Sequence, residues 1–270
     1  MTDQAIFERA CGAIEEVLPA FAELVRLNPG VTVPAVGRWT LPEVACHVSH
    51  VIEKDTDALA RRQLPFIELS PQAVAVWTEA MLADDPERDV TVLANRITAL
   101  GSAFLELRAK PSAEPVTWVG GTQLPPSAVV CHLLEELLVH GYDVAKAARA
   151  RWRIEPEHAA LAIVGAVLPI IAASPKSWLS QSYDLPARAR VEFRLRGFES
   201  FALVLDEGLH VEIPPTTSSA DAHLAADPAA LLLVMLGRES HWRALRRGKI
   251  IGWGRRPRAP FTLLHSTSPP

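Results

Sequence analysis

The sequence predicts a chain in two parts, a helical bundle followed by a small α+β domain. Three observations carry this. Apolar residues recur at helix spacing from Asp3 to about residue 172. Strand-like alternation begins only after Ser174-Pro175, first in VEFRL at 191–195. Hydrophobic residues make up 49% of the 270, enough for a sizeable core and too many for a disordered chain. A boundary near 175–186 divides the chain into 1–175 and 176–270.

The first helix runs from about Asp3 to Leu27, with Ile6, Ala10, Ile14, Val17, Phe21 and Val25 on one face. Pro19 falls inside it, where a kink is expected. Asn28-Pro29-Gly30 stops it. Thr40-Leu41-Pro42-Glu43 opens the second helix with a capping box and an early proline. Its apolar arc is Leu41, Val44, Val48, Val51, Ile52 and Leu59. Asp55 lies on that arc, an odd place for a carboxylate. His47 borders the arc, whereas His50 points away by roughly half a turn, so His47 is the histidine expected to reach into the bundle. Ser70-Pro71 starts a helix to about Leu82, which Asp84-Asp85-Pro86 interrupts. A long helix then continues to about Ala109, with Val92, Ile97, Leu100, Phe104 and Leu107 inward. The loop Pro111–Pro126 carries Trp118, Gly120 and Gly121. A helix from about Ser127 to Ala148 and an apolar helix at about 156–172 complete this half.

In the second half Val191–Leu195, Phe201–Leu205, Leu209–Ile213 and Lys249–Trp253 read as strands. Asp227-Pro228 caps a short helix, Ala229–Leu236. The tail, rich in Pro, Ser and Thr, is expected to be loosely held.

The formal net charge is −4 with signs mixed, and the one dense basic cluster, Arg243–Arg258, reads as solvated surface. No nucleic-acid partner is expected. The acidic, amphipathic N-terminus is unlike a signal peptide, and no stretch of about 18 uninterrupted apolar residues suggests a membrane span. Cys11, Cys46 and Cys131 form no C-x-x-C pair, which fits a reducing cytoplasm. Cys46 and Cys131 adjoin histidines but read as small buried hydrophobes.

Chemistry concentrates in CHLLEELLVHGYD, residues 131–143. His132, Glu136 and His140 are four apart and Asp143 three further on. At about 100° per residue the four share an arc of roughly 80° bordering the leucines. Glu135, Lys146 and Arg149 fall to the other side, where solvent is expected. A carboxylate and an imidazole one helical turn apart can grip one metal ion. Catalytic zinc takes three protein ligands and keeps one position open. Glu136 and His140 supply two, the third must come from elsewhere, and His132 is a rival on the same face. His158, His210, His223, His241 and His265 have no partner spacing and read as surface or loop residues.

Trp39-Thr40 followed by His47, then Glu136, His140 and Asp143 in the E-x3-H-x2-D pattern, resemble the mycothiol-dependent maleylpyruvate isomerase family. LVHGYDVAKA at 138–147 is especially similar. ADPAALLLVMLGR at 226–238 with GKIIGWG at 248–254 resembles the sterol-carrier-like C-terminal domain found beside that bundle. After the last strand this chain departs from the family, with Arg255-Arg256-Pro257 where glycine and aspartate are usual. The resemblance implies a DinB-like metal-binding four-helix bundle with His47, Glu136 and His140 as ligands to a divalent ion, usually zinc. It implies an enzyme that activates mycothiol or a similar low-molecular-weight thiol for addition to an electrophilic small molecule. The outcome is cis–trans isomerisation or S-transfer. Arg238, in the family-like Leu-Gly-Arg, is the candidate cationic contact for substrate carboxylate or thiol. Asp143 is the second candidate for the catalytic machinery, as a residue supporting the ligands, a helix-capping residue or a base. Two alternatives stay open, a non-catalytic binding protein whose sterol-carrier-like half, with the leucine-rich helix 229–236, holds an apolar small molecule, and a metal-dependent hydrolase on the same three ligands.

Overall fold

The computed structural model describes residues 1–109, 114–174, 188–216 and 219–266. The chain forms two compact units, Met1–Glu68 with Gln72–Ile154, and Leu69–Pro71 with Glu155–Pro270. The segment expected to hold the boundary, 175–186, lies outside the described residues. The units part earlier in the chain, because the helical run after Glu155 packs on helix and strand of the second unit.

The first unit is built on four helices, α1 (Asp3–Arg26), α2 (Leu41–Leu59), α4 (Val90–Glu106) and α5 (Pro126–Ala148). They form a closed ring in which α1 packs on α4 and α5, and α2 packs on the same two. Phe21, Ile14, Leu41, Ile52, Leu93, Ile97, Phe104, Leu133 and Leu134 are fully buried in it. Each such side chain contributes about 1.5–3 kcal/mol through the water it sheds. Helix α1 runs through Pro19 as one helix. At the start of α2 the Glu43 carboxylate accepts from the Thr40 backbone N–H at 2.7 Å, the reach-back half of the expected capping box. Helix α3 (Pro71–Asp84) precedes α4. In α4 the inward face is Val90, Leu93, Ala94, Ile97, Gly101 and Phe104. Val92, expected inward, is 44% exposed, because the buried stripe starts at Val90 and advances by three and four. Strands β1 (Val116–Thr117) and β2 (Gln123–Leu124) form a hairpin just before α5. At its tip Gly120 and Gly121 have φ of 70° and 75°, left-handed backbone that side chains rarely adopt.

The second unit opens with α6 (Pro156–Ala162), which widens into a π turn at Ile163–Val167 and continues as α7 (Leu168–Ala173). Pro169 lacks an N–H and its ring crowds the preceding turn, a reason for the helix to widen there. By length and composition this run could cross a membrane, although no uninterrupted apolar stretch had been expected. Glu157 and His158 interrupt it, and most of it is buried in the fold.

The sheet has the order β5-β4-β3-β6-β7, from β3 (Arg188–Leu195), β4 (Ser200–Asp206), β5 (Leu209–Glu212), β6 (Ala222–Ala226) and β7 (Ile250–Gly254). All pairs are antiparallel except β3 with β6. Ala189, Val191, Phe193 and Leu195 alternate inward along β3, and Phe193 stacks on Phe201 of β4 at 4.8 Å. Strand β6 was not expected, and His223 sits on it beside Glu192 and Trp253, not in a loop. Helix α8 (Pro228–Met235) begins as expected, with the Asp227 carboxylate accepting from Ala230 N–H at 3.1 Å. It is buried all round, packed against α6, α9 (His241–Arg246) and α10 (Ala259–Ser266). Helix α10 is held by buried Leu263 and Leu264 and ends where the tail expected to be loose turns rich in Pro, Ser and Thr, of which 267–270 lie outside the described residues.

Candidate metal centre

Helices α2 and α5 bring His47, Glu136 and His140 together inside the first unit, their ligand atoms all within 4.8 Å of one another. Glu136 Oε2 lies 3.2 Å from His47 Nε2 and 3.1 Å from His140 Nε2. The two imidazoles meet edge to face, ring centroids 5.0 Å apart, and Trp39 lies against the His47 ring. Tetrahedral zinc with bonds of ~2.0–2.1 Å sets its ligands about 3.3 Å apart, so this spacing and the N, N, O donor set fit one divalent ion. Burial pushes the His47 imidazole below its usual basicity, with the Glu136 carboxylate opposing only in part. Burial also works against the Glu136 charge, yet hydrogen bonding to His140 and His47 holds its carboxyl well below the usual range. Neutral histidine and ionised glutamate are the forms that bind metal.

A second layer surrounds the three. Asp143 Oδ2 lies 3.2 Å from His140 Nδ1. Nδ1 of His47 is buried and makes no hydrogen bond among the described residues. His132 turns Nδ1 to Asp55 Oδ2 at 2.8 Å and Nε2 to Glu136 Oε1 at 3.5 Å. Burial opposes a charge on His132, but the Asp55 carboxylate outweighs it and pushes the pKa up to about 10. Asp55 is 1% exposed, and its other oxygen accepts the Trp118 indole N–H at 2.9 Å. That pairing accounts for a carboxylate on an apolar arc. Beside His140, a side chain on Gly141 would meet the Trp152 ring at 2.2 Å, and the Trp152 N–H donates to the Leu138 carbonyl at 2.9 Å.

Two expectations are corrected. His50, placed on the outer side of α2, is as buried as His47, both 9% exposed. The turn between α3 and α4 covers it, with Asp85 Oδ2 3.0 Å from His50 Nε2 and Cys46 Sγ 3.9 Å from the same nitrogen. Asp85 also pairs with Arg96. Glu135, expected in solvent, is buried at 8% exposure, while Lys146 and Arg149 are exposed as expected. Arg238 belongs to the second unit, where its Nη1 donates to the Leu236 carbonyl at 2.7 Å.

Fold and site together define a helical bundle with a buried His-Glu-His cluster, followed by a small mixed-sheet domain. Residues 12–145 match the family described as mycothiol maleylpyruvate isomerase N-terminal domain. Residues 12–145 thus form a domain of the mycothiol maleylpyruvate isomerase family. Among solved structures it is similar to the mycothiol-dependent maleylpyruvate isomerase and to a point mutant of it. Each match has a TM-score of 0.59 at 14% identity and covers 93% of this chain and 95% of the other, a likeness of fold. No curated protein sequence matches the chain.

Proposed function

We propose that this protein is a thiol-dependent isomerase of small electrophilic molecules, with a divalent metal, taken as zinc from the family resemblance, held by His47, Glu136 and His140. The observation that carries the reading is the convergence of those three ligand atoms in a bundle of this family. Mycothiol and maleylpyruvate, named for the structural relative, are the thiol and substrate to test first. An ion held by His47, Glu136 and His140 would favour the thiolate form of a bound thiol. Addition of a thiolate to an electron-poor double bond, rotation about the resulting single bond and release of the thiolate give cis–trans isomerisation, whereas protonation of the adduct and retention of the sulfur give S-transfer.

The chain's own residues prepare the site. Asp143 faces His140 Nδ1 and so favours the proton there, leaving the Nε2 lone pair toward the cluster. His47, Glu136 and His140 are all shielded from solvent, so few waters compete for the position left open. Arg238 keeps its reading as a cationic group for a carboxylate on the Leu-Gly-Arg resemblance alone. The protein is read as a soluble, cytoplasmic enzyme with no nucleic-acid partner.

The deciding experiment is elemental analysis of wild type, His47→Ala and His140→Ala beside a mycothiol-dependent isomerisation assay. The expected result is about one zinc per chain in wild type and little in either variant, with activity following the metal. A wild type that binds no divalent metal after reconstitution sinks the metal reading. Hydrolysis of a small amide without added thiol would replace the isomerase with a hydrolase on the same ligands.

A further inference from the structure

The Glu136 carboxylate is divided between two neighbours. Its Oε2 faces His47 and His140, while its Oε1 faces His132 Nε2 at 3.5 Å. His132 has little freedom to turn elsewhere. Its Nδ1 is committed to Asp55 Oδ2 at 2.8 Å, and the Trp118 ring packs edge-on against the imidazole at 4.8 Å between centroids. Asp55 is fixed in turn, because its second oxygen takes the Trp118 N–H. Trp118 therefore braces both members of the pair, and the hairpin holds Trp118. Its backbone N–H donates to Thr122 O at 2.7 Å across the Gly120-Gly121 tip.

We infer that His132, anchored by Asp55 and Trp118, is a positioning residue that keeps Glu136 engaged with the metal through one oxygen only. This rests on the metal reading above and adds to it a reason why a coordination position stays open. A carboxylate can bind a cation through one oxygen or two. Holding Oε1 on His132 prevents the second oxygen from taking the place a thiol sulfur would occupy. Partners of this kind orient ligands and are worth about 10–100-fold in metal affinity.

The test measures zinc affinity by chelator competition, and the visible absorption of the cobalt-substituted protein, for wild type, His132→Ala, Trp118→Phe and His50→Ala. Trp118→Phe keeps an aromatic ring beside His132 but removes the N–H that holds Asp55, so it decides the matter where His132→Ala fails to fold. His50→Ala breaks another buried histidine–carboxylate contact on α2 and reports the cost of general destabilisation. The expected result is a zinc Kd raised about 10–100-fold in His132→Ala and less in Trp118→Phe. His50→Ala should leave Kd unchanged. The cobalt bands should weaken in the first two variants as both carboxylate oxygens bind. Unchanged Kd and spectrum in Trp118→Phe and His132→Ala, with wild type still metal-loaded, would overturn the positioning role and leave the metal reading standing. A wild type that binds no metal would remove both.

Discussion

Helix α2 carries two histidines three residues apart, and each meets a carboxylate in a buried setting, yet the two clusters differ in kind. Around His47 the neighbours are Glu136, His140 and, one layer out, His132 with Asp55. Around His50 they are Cys46 and Asp85, and Asp85 is already paired with the permanently charged Arg96. A group of potential ligands becomes a place for a cation when no fixed cation already neutralises it. The Cys46 thiol fits this view, since burial with the nearby Asp85 charge pushes it up to about 11, far from the thiolate a metal needs. On the His50 side the charge balance is complete within the chain, and the result is an ion-pair network that ties the α3–α4 turn to α2.

The largest expected effect separates the clusters outright. Glu136→Gln keeps the shape and removes the charge, and should lower zinc affinity by more than about 100-fold, measured by chelator competition. Arg96→Met should leave zinc content at one per chain while lowering stability by about 1–3 kcal/mol in denaturant titration, because Asp85 is left partly buried without its cation. A zinc content of two in wild type would erase the distinction.

Acidification gives a second, smaller contrast. Metal binding needs neutral imidazoles, so zinc affinity should fall as pH drops below about 6.5. The lowered basicity of His47 delays that loss, because the folded protein resists the proton longer than an unfolded chain does. The Asp85 side responds later. Burial works against the Asp85 charge, yet Arg96, the Glu87 N–H and His50 hold its carboxyl well below the usual range. Its folded pKa is depressed, so its stabilisation is present above about pH 4 and is lost as pH falls further. Zinc release followed by tryptophan fluorescence across pH 7 to 3 should therefore precede unfolding. The smallest effect is Thr40→Ala, about 1 kcal/mol from a weakened cap on the helix that carries His47 and His50, with zinc stoichiometry unchanged.

Much of the candidate site was legible because it is local. Glu136 and His140 share one helix at a spacing of four, and the facing of α2 singled out His47 without knowledge of its partner. The burial of His50 was not legible, because helix facing says nothing of a later segment that folds over the outer side. Asp55 was visibly anomalous on its arc, but its partners Trp118 and His132 come 63 and 77 residues later. Strand β6 was missed for a different reason. Ala-His-Leu-Ala-Ala has no β-branched residue, and its extended form comes from pairing on both sides, with β3 and β7. In α10, Leu263 and Leu264 were too few to signal a helix.

Gly141 couples two positions of the chain sterically. The indole of Trp152 lies where a side chain at 141 would be, 2.2 Å from that missing carbon. Any descendant that gains even a methyl there must first shrink the residue at 152 or shift the end of the helix beside His140, at a cost of about 1–3 kcal/mol. Glycine and tryptophan should thus be inherited as a pair. A library randomising both positions, selected for folded protein, should return bulk at one position only where the other has given it up.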